Sequence, residues 1–173
     1  AYLLPDCGIK EDLRAKYQEH NKLLVGISWH SKIPKTVALA HFAPLFESLN
    51  CKFVNLQYGD HSTEIQRFEA EAGQRIVTDE VIDPIKDFDP FVAQVSAMDA
   101  VITVQNTTLF TAGALGIPTF AILPPIPDWK WLGHKTFSPW HGNVRLFHRS
   151  NQSDDGELKT IVTRIKEHLA EMD

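Results

Sequence analysis

Short apolar segments alternate with longer amphipathic segments from residue 23 to the end of the chain. Apolar runs of four to six residues without internal alternation are typical of strands buried on both faces of a parallel sheet. The runs that predict strands are Leu23–Ser28, Phe53–Gln57, Arg75–Val77, Ala100–Val104, Thr119–Leu123 and Val144–Phe147.

Between these runs, apolar residues recur at intervals of three and four, which predicts helices with one buried face. The expected helices begin near Leu39, Ser62 or Thr63, Asp89, Leu109 and Asp154. Asp89 followed by Pro90 has the pattern of an N-cap with proline at the first helical position. Gly116 is expected to end the helix that precedes it, because glycine readily adopts the left-handed conformation of a helix C-terminus.

The alternation of strands and helices predicts an α/β fold with a doubly wound, mostly parallel sheet of Rossmann-like type. Residues 23–173 are expected to form one domain. Residues 1–22 are polar, with a surface helix expected over Glu11–His20, and we interpret them as a lead-in from a missing upstream domain. Sheets of this type bind ligands beyond the carboxyl ends of their strands.

Two polar segments follow predicted strands and supply candidate ligand-binding residues. The loop after Ser28 contains Lys32, Lys35 and Thr36. The segment Gln105–Thr108 follows the most apolar strand and opens a helix, where free backbone N–H groups favour an anion. The candidate set is Lys32, Lys35, Thr36, Gln57, Gln105, Asn106, Thr107 and Thr108. A solvated basic loop and ordinary helix capping are the alternative interpretations of these segments.

Composition narrows the function classes. The chain has 173 residues and a net charge of −5, which argues against broad binding of nucleic acid or anionic membranes. No apolar run is long enough to span a membrane. Two cysteines, Cys7 and Cys51, are too few for a disulfide framework and favour a cytoplasmic setting. No histidine, cysteine or carboxylate pattern indicates a metal site, so we expect neither metal nor cofactor, and no catalytic residue can be assigned.

The loop between the last two predicted strands is rich in tryptophan. It contains Trp129, Trp131 and Trp140, three of the four tryptophans of the chain. Aromatic rings in such a loop either stack on a base or sugar or cover the edge of the sheet as structural packing. Both interpretations remain open at the level of sequence.

Taken together in order, the motifs resemble the C-terminal domain of bacterial glycosyltransferases that are linked to tetratricopeptide repeats. These proteins are similar to heptosyltransferases and, more distantly, to O-linked N-acetylglucosamine transferase. The resemblance covers nearly the whole chain. It rests on Leu24–Trp29, His41–Leu45, Asn55–Gln57, Asp87-Phe88, Met98–Ile102, Ala112–Pro118, Pro127–Trp131, Ser138–Trp140 and Arg145–Phe147.

The resemblance implies the donor-binding half of a GT-B fold, in which two Rossmann-like domains face each other across a cleft. The expected function is transfer of a sugar from a nucleotide-diphospho-sugar to an unknown acceptor. The expected partner domain is a missing N-terminal half of the same protein, so this chain alone is not expected to be active. By position, Lys32, Lys35 and residues 105–108 would face the donor diphosphate, and Gln57 would lie near the nucleotide.

Two positions depart from the pattern of the family. The family usually has an aspartate where this chain has Gln105, and a histidine five residues later, where this chain has Phe110. Phe110 offers no hydrogen-bonding group to a phosphate or a sugar, and Gln105 carries no charge. These departures favour the alternative hypothesis, a non-catalytic binding or scaffold module that kept the half-fold.

Overall fold

In the computed structural model, which describes residues 1–32, 34–47 and 49–172, six parallel strands form one sheet. Their spatial order is β3-β2-β1-β4-β5-β6. Because the order reverses between β1 and β4, helices cover both faces, and the predicted doubly wound α/β fold is confirmed. The strands are β1 Leu23–Ser28, β2 Cys51–Asn55, β3 Ile76–Val77, β4 Ala100–Val104, β5 Thr119–Leu123 and β6 Val144–His148.

Among the described residues, six α-helices and two short 3₁₀ turns connect and flank the strands. The helices are α1 Cys7–Tyr17, α2 Ala43–Phe46, α3 Ser62–Ala72, α4 Phe88–Ser96, α5 Thr107–Leu115 and α6 Asp155–Ala170, and the 3₁₀ turns are Leu39–Phe42 and Trp129–Trp131. In the described part of the chain, no helix combines the length and the apolar character that crossing a membrane requires.

The two faces of the sheet carry separate cores. Val25 and Ile27 of β1 point into a core shared with α2, α3 and α6, whereas Leu24 belongs to a core shared with α1 and α4. Successive residues of a strand point to opposite faces. Both faces are covered, so the strands read as continuous apolar runs, which is why their positions could be predicted from sequence.

Three of the expected helices differ from the prediction in their cap or in their type. Asp87, not Asp89, is the N-cap of α4, and its carboxylate accepts a hydrogen bond from the Asp89 N–H at 3.2 Å. Helix α3 begins at Ser62 behind His61, whose side chain makes no capping hydrogen bond. The helix expected from Leu39 is a 3₁₀ turn followed by the four-residue α2.

Residues 1–22 contact the domain more closely than a polar lead-in would. Helix α1 begins at Cys7 rather than Glu11, and it buries Leu13 and Tyr17 against the same core as α4. The backbone N–H groups of Tyr2 and Leu3 donate to the Ala114 carbonyl at the end of α5. The domain boundary at residue 23 stays a prediction.

Candidate functional site

Three side chains at the carboxyl edge of the sheet form one buried hydrogen-bond network. Ser28 ends β1, Gln57 follows β2, and Asn106 follows β4. The Ser28 hydroxyl donates to Gln57 Oε1 at 2.9 Å and accepts from Asn106 Nδ2 at 2.7 Å. Gln57 Oε1 also accepts from the His30 N–H at 2.8 Å. The network holds three loops in fixed positions at the place where parallel sheets bind ligands.

Asn106 caps α5. Its Oδ1 accepts from the Leu109 N–H at 3.3 Å and from the Thr103 hydroxyl at 3.0 Å. Thr107 is therefore the first residue of the helix rather than its cap, and its side chain is exposed. Thr108 is buried, and its hydroxyl donates to the Leu56 carbonyl at 3.4 Å.

The loop that follows β1 folds over the start of α5. The Thr36 hydroxyl donates to the Ser31 carbonyl at 2.6 Å and accepts from the Ser31 N–H at 3.1 Å. The Ser31 hydroxyl in turn donates to the Gln105 carbonyl at 3.2 Å. Ser31 and Gln105 therefore bring the loops after β1 and β4 into contact, as the positions of these loops predict.

Lys35 forms an ion pair that the sequence did not reveal. Its Nζ lies 3.1 Å from Asp128 Oδ2, and the Lys130 Nζ lies 3.4 Å from the same oxygen. Burial of Asp128 opposes its ionisation, but Lys35 and Lys130 outweigh that effect and hold its pKa below the ordinary value. Asp128 is therefore ionised and already forms an ion pair with Lys35. Lys32 is exposed, and no ion pair of its side chain occurs among the described residues.

Gln105 and Phe110, the two residues that depart from the glycosyltransferase pattern, have apolar or enclosed surroundings. The Gln105 side chain is buried, at 2% exposure, and both amide atoms lack a hydrogen-bond partner in the described part of the chain. Phe110 stacks on Trp131 with 5.7 Å between ring centroids, and Lys130 Nζ lies 4.6 Å from the centre of the Phe110 ring. Phe110 thus has a packing role next to the site.

A cavity of about 710 Å³ opens beyond β2 and β3. Gln57 is the one residue of the candidate set that lines it. Its wall carries five carboxylates, from Asp60, Glu69, Asp79, Glu80 and Asp83, and neither lysine nor arginine. A diphosphate would be repelled by such a wall, whereas sugar hydroxyls and base N–H groups can donate hydrogen bonds to it.

The candidate residues thus fall into two groups. Asn106, Thr107 and Thr108 lie at the start of α5, beside Lys35 and Thr36, while Gln57 joins this region to the acidic cavity. Sequence reasoning missed Ser28 and Asp128. The position of Ser28 at the end of β1 was a usable signal, but nothing near Asp128 in sequence indicates a partner 93 residues away.

Comparison with solved structures finds proteins of similar fold. Heptosyltransferase II from E. coli, described as an ADP-heptose LPS heptosyltransferase, superposes with a TM-score of 0.62 at 15% identity, over 95% of this chain and 54% of that one. A glycosyl transferase family 9 protein from Veillonella parvula superposes with a TM-score of 0.67 at 14% identity, over 99% and 54%. The chain has the Rossmann-like fold found in GT-B glycosyltransferases. It spans about half the length of these proteins.

Comparison of sequences gives one curated relative. Protein FlbA from Caulobacter vibrioides is 37% identical over 129 residues, which is 71% of this chain and 21% of FlbA. The chain thus spans about a fifth of the length of that relative. No protein-family model matches the chain.

Proposed function

We propose that this chain is the donor-binding half of a glycosyltransferase, and that it binds a nucleotide-diphospho-sugar for transfer to an acceptor held elsewhere in the protein. The observation that carries the proposal is the contact between the loop that bears Lys32 and Lys35 and the segment that opens α5. The Ser31 hydroxyl donates to the Gln105 carbonyl there, at the carboxyl edge of the sheet. The tetratricopeptide-repeat link, the missing N-terminal half and the cytoplasmic setting belong to the same proposal.

The diphosphate is assigned to the start of α5. The first backbone N–H groups of a helix are unpaired and carry the positive end of the helix dipole, which favours an anion. Thr107 is exposed there. Lys35 belongs to the loop after β1, and Asp128 pairs with its ammonium group. In this proposal the diphosphate displaces Asp128 from Lys35, because a doubly charged group gains more from the same ammonium group than one carboxylate does.

The nucleoside is assigned to the acidic cavity beside Gln57. A volume of about 710 Å³ is in the range of small-molecule sites. Carboxylates after the second strand of a Rossmann-like sheet accept hydrogen bonds from ribose hydroxyls. The distribution of charge supports this orientation. Lys16 and Lys86 pair with two of the carboxylates of the cavity, whereas the other three, Asp60, Glu69 and Glu80, form no ion pair among the described residues.

The test is a thermal-shift and calorimetric screen of the chain against nucleoside diphosphates and nucleotide-sugars. A ligand that binds the native state must raise its melting temperature. Lys35→Ala is expected to weaken the best ligand by about 10- to 100-fold, the value of a charge-assisted hydrogen bond. Asp128→Asn is expected to strengthen binding, because the competing carboxylate is removed.

Matched variants make this test specific. Lys159→Ala removes an exposed lysine of α6, far in sequence from the site, and is expected to leave affinity unchanged. The donor proposal fails if no nucleotide in the panel binds. Lys35 is removed from the site if Lys35→Ala binds as tightly as the wild type.

The second candidate function is a binding module without catalysis. The observation that favours it is the apolar stack of Phe110 on Trp131, next to the buried, uncharged Gln105. The double variant Gln105→Asp with Phe110→His restores the residue types of the family. If the longer protein containing this chain releases nucleoside diphosphate from a nucleotide-sugar only with that double variant, the natural chain is the non-catalytic module.

A further inference from the structure

A second cavity, of about 660 Å³, lies at the outer edge of the sheet, and Asp128, the ion-pair partner of Lys35, is among its lining residues. It is bounded by β6, by α6 and by the tryptophan-rich loop. The Leu146 N–H donates to the Thr136 carbonyl at 2.7 Å, so the loop is tied to the free edge of β6 and closes one side of the cavity. None of the candidate donor-binding residues lines it.

The cavity is positively charged in a protein whose net charge is −5. Lys135, Arg145 and Arg164 line it, and no ion pair of these three cations occurs in the described ranges. Asp128 is the one carboxylate among the lining residues, and it is already held by Lys35 and Lys130. Arg145 contacts the His168 ring and Arg164 lies over the Phe147 ring, so neither contact supplies a negative charge. A local excess of cations without carboxylate partners attracts anions.

The walls also offer aromatic surface. Trp129 lines the cavity with 81% of its surface exposed. Trp131 lines it as well, is 1% exposed, and its indole Nε1–H has no acceptor among the described residues. Because this nitrogen is itself enclosed, Trp131 contributes apolar wall to the cavity.

We propose that this cavity is a second ligand site that binds a small organic anion with a ring, separate from the proposed donor site. The carboxylate or phosphate group of the ligand is held by Lys135, Arg145 and Arg164. The ring of the ligand lies against Trp129. The volume of the cavity admits a ligand of that size.

The experiment is an NMR titration of the chain that follows the four tryptophan indole N–H signals, with phenyl phosphate, benzoate and uncharged phenol as probes. One or both anions are expected to shift the Trp131 and Trp129 signals, and phenol is not. Phenyl phosphate binding tighter than benzoate identifies a phosphate ligand, and the reverse order identifies a carboxylate. Added salt is expected to weaken either anion.

Two exposed cations of α6 give a matched pair of variants. Arg164→Gln is expected to weaken the anion about fivefold, the upper value for an exposed charge, while Lys159→Gln, which removes a cation outside the cavity, leaves it unchanged. Lys32→Ala, which removes an exposed cation of the donor loop, is expected to leave it unchanged too, and this separates the site from the donor site.

Several outcomes overturn the proposal: no indole shift with either anion, an equal response to phenol, an equal effect of Arg164→Gln and Lys159→Gln, or a loss of anion binding in Lys32→Ala alone. The last outcome would place the anion at the start of α5 and would leave the proposed donor site intact.

Discussion

Asn106 does more for the structure than its position in a polar loop indicates. It caps α5, and its amide donates to Ser28 and to the His30 carbonyl. One side chain therefore joins β1, β4 and α5, and its own residue is 8% exposed. Removing it leaves several buried groups without partners.

We predict that Asn106→Ala lowers the free energy of unfolding by about 2–4 kcal/mol, from the lost cap and the unpaired buried groups. Thr107→Ala, at an exposed position one residue later, is expected to change it by less than about 0.5 kcal/mol. Denaturant titration measures both. A Thr107→Ala variant that loses stability as Asn106→Ala does would show that the cap is assigned to the wrong residue.

Asp79 is the carboxylate that anchors α1. Its side chain is 3% exposed, and its Oδ2 accepts from Lys16 Nζ at 2.7 Å and from the Tyr17 hydroxyl at 2.8 Å. Burial opposes ionisation of Asp79, but these hydrogen bonds outweigh it and hold its pKa below the ordinary 3.8. Burial and the nearby Asp79 carboxylate raise the pKa of Tyr17, so its hydroxyl stays a donor at neutral pH.

A lowered pKa in the folded state stabilises the protein above the unfolded-state pKa, and the effect disappears as the pH falls through the folded-state value. We therefore predict that Asp79→Asn destabilises the chain by about 1–3 kcal/mol at pH 7. The difference from the wild type should shrink below about pH 4. Melting temperatures between pH 2 and pH 8 measure it, with Asp12→Asn, at an exposed position of α1, as a control that changes little. A difference that does not depend on pH would contradict the role of the charge.

At the scale of elements, α5 packs closely against the segment that precedes β6. A Cβ atom on Gly113 would lie 2.6 Å from His141 Cδ2 and 2.7 Å from its Cγ. These ring atoms lie close to the backbone of His141. The ring is buried and stacks on Tyr2, so it has little freedom to move away. Glycine is required here by the close approach of the two elements.

We predict that Gly113→Ala lowers the free energy of unfolding by about 1–2 kcal/mol, because the steric cost exceeds the gain in helix propensity. Gly142→Ala is the matched control, since nothing lies within 4 Å of its Cβ position. Combining Gly113→Ala with His141→Ala should cost less than the sum of the two single changes. Additive effects in chemical denaturation would rule out the clash.

At the scale of the whole molecule, the chain covers 54% of each of the two solved glycosyltransferases to which its fold is similar. Transfer of a sugar requires a donor and an acceptor held in reacting geometry. We predict that this chain alone binds the donor but transfers no sugar. Sustained production of a glycosylated acceptor by the isolated chain, in an assay with radiolabelled nucleotide-sugar, would refute the proposed division of labour.

The sequence by itself determined the elements and the type of sheet. Buried parallel strands are apolar at every position, so Ala100–Val104 and Thr119–Leu123 were predicted with the bounds that the structure has. The candidate residues at the start of α5 followed from the rule that such sheets place ligands at their carboxyl edge. The helix start near Ser62 was predicted, whereas the cap at Asp87 was missed, because Asp87 and Asp89 are equally good caps.

Only the tertiary structure decided which charges and cavities meet. Asp128 pairs with Lys35 across 93 residues, and Asn106 reaches Ser28 across 78. The acidic cavity and the cationic cavity are each built from elements distant in sequence. Local patterns report only which face of an element is buried. Which side chain a loop residue contacts depends on how the loops fold over the sheet. The packing and electrostatics of the complete fold determine that arrangement.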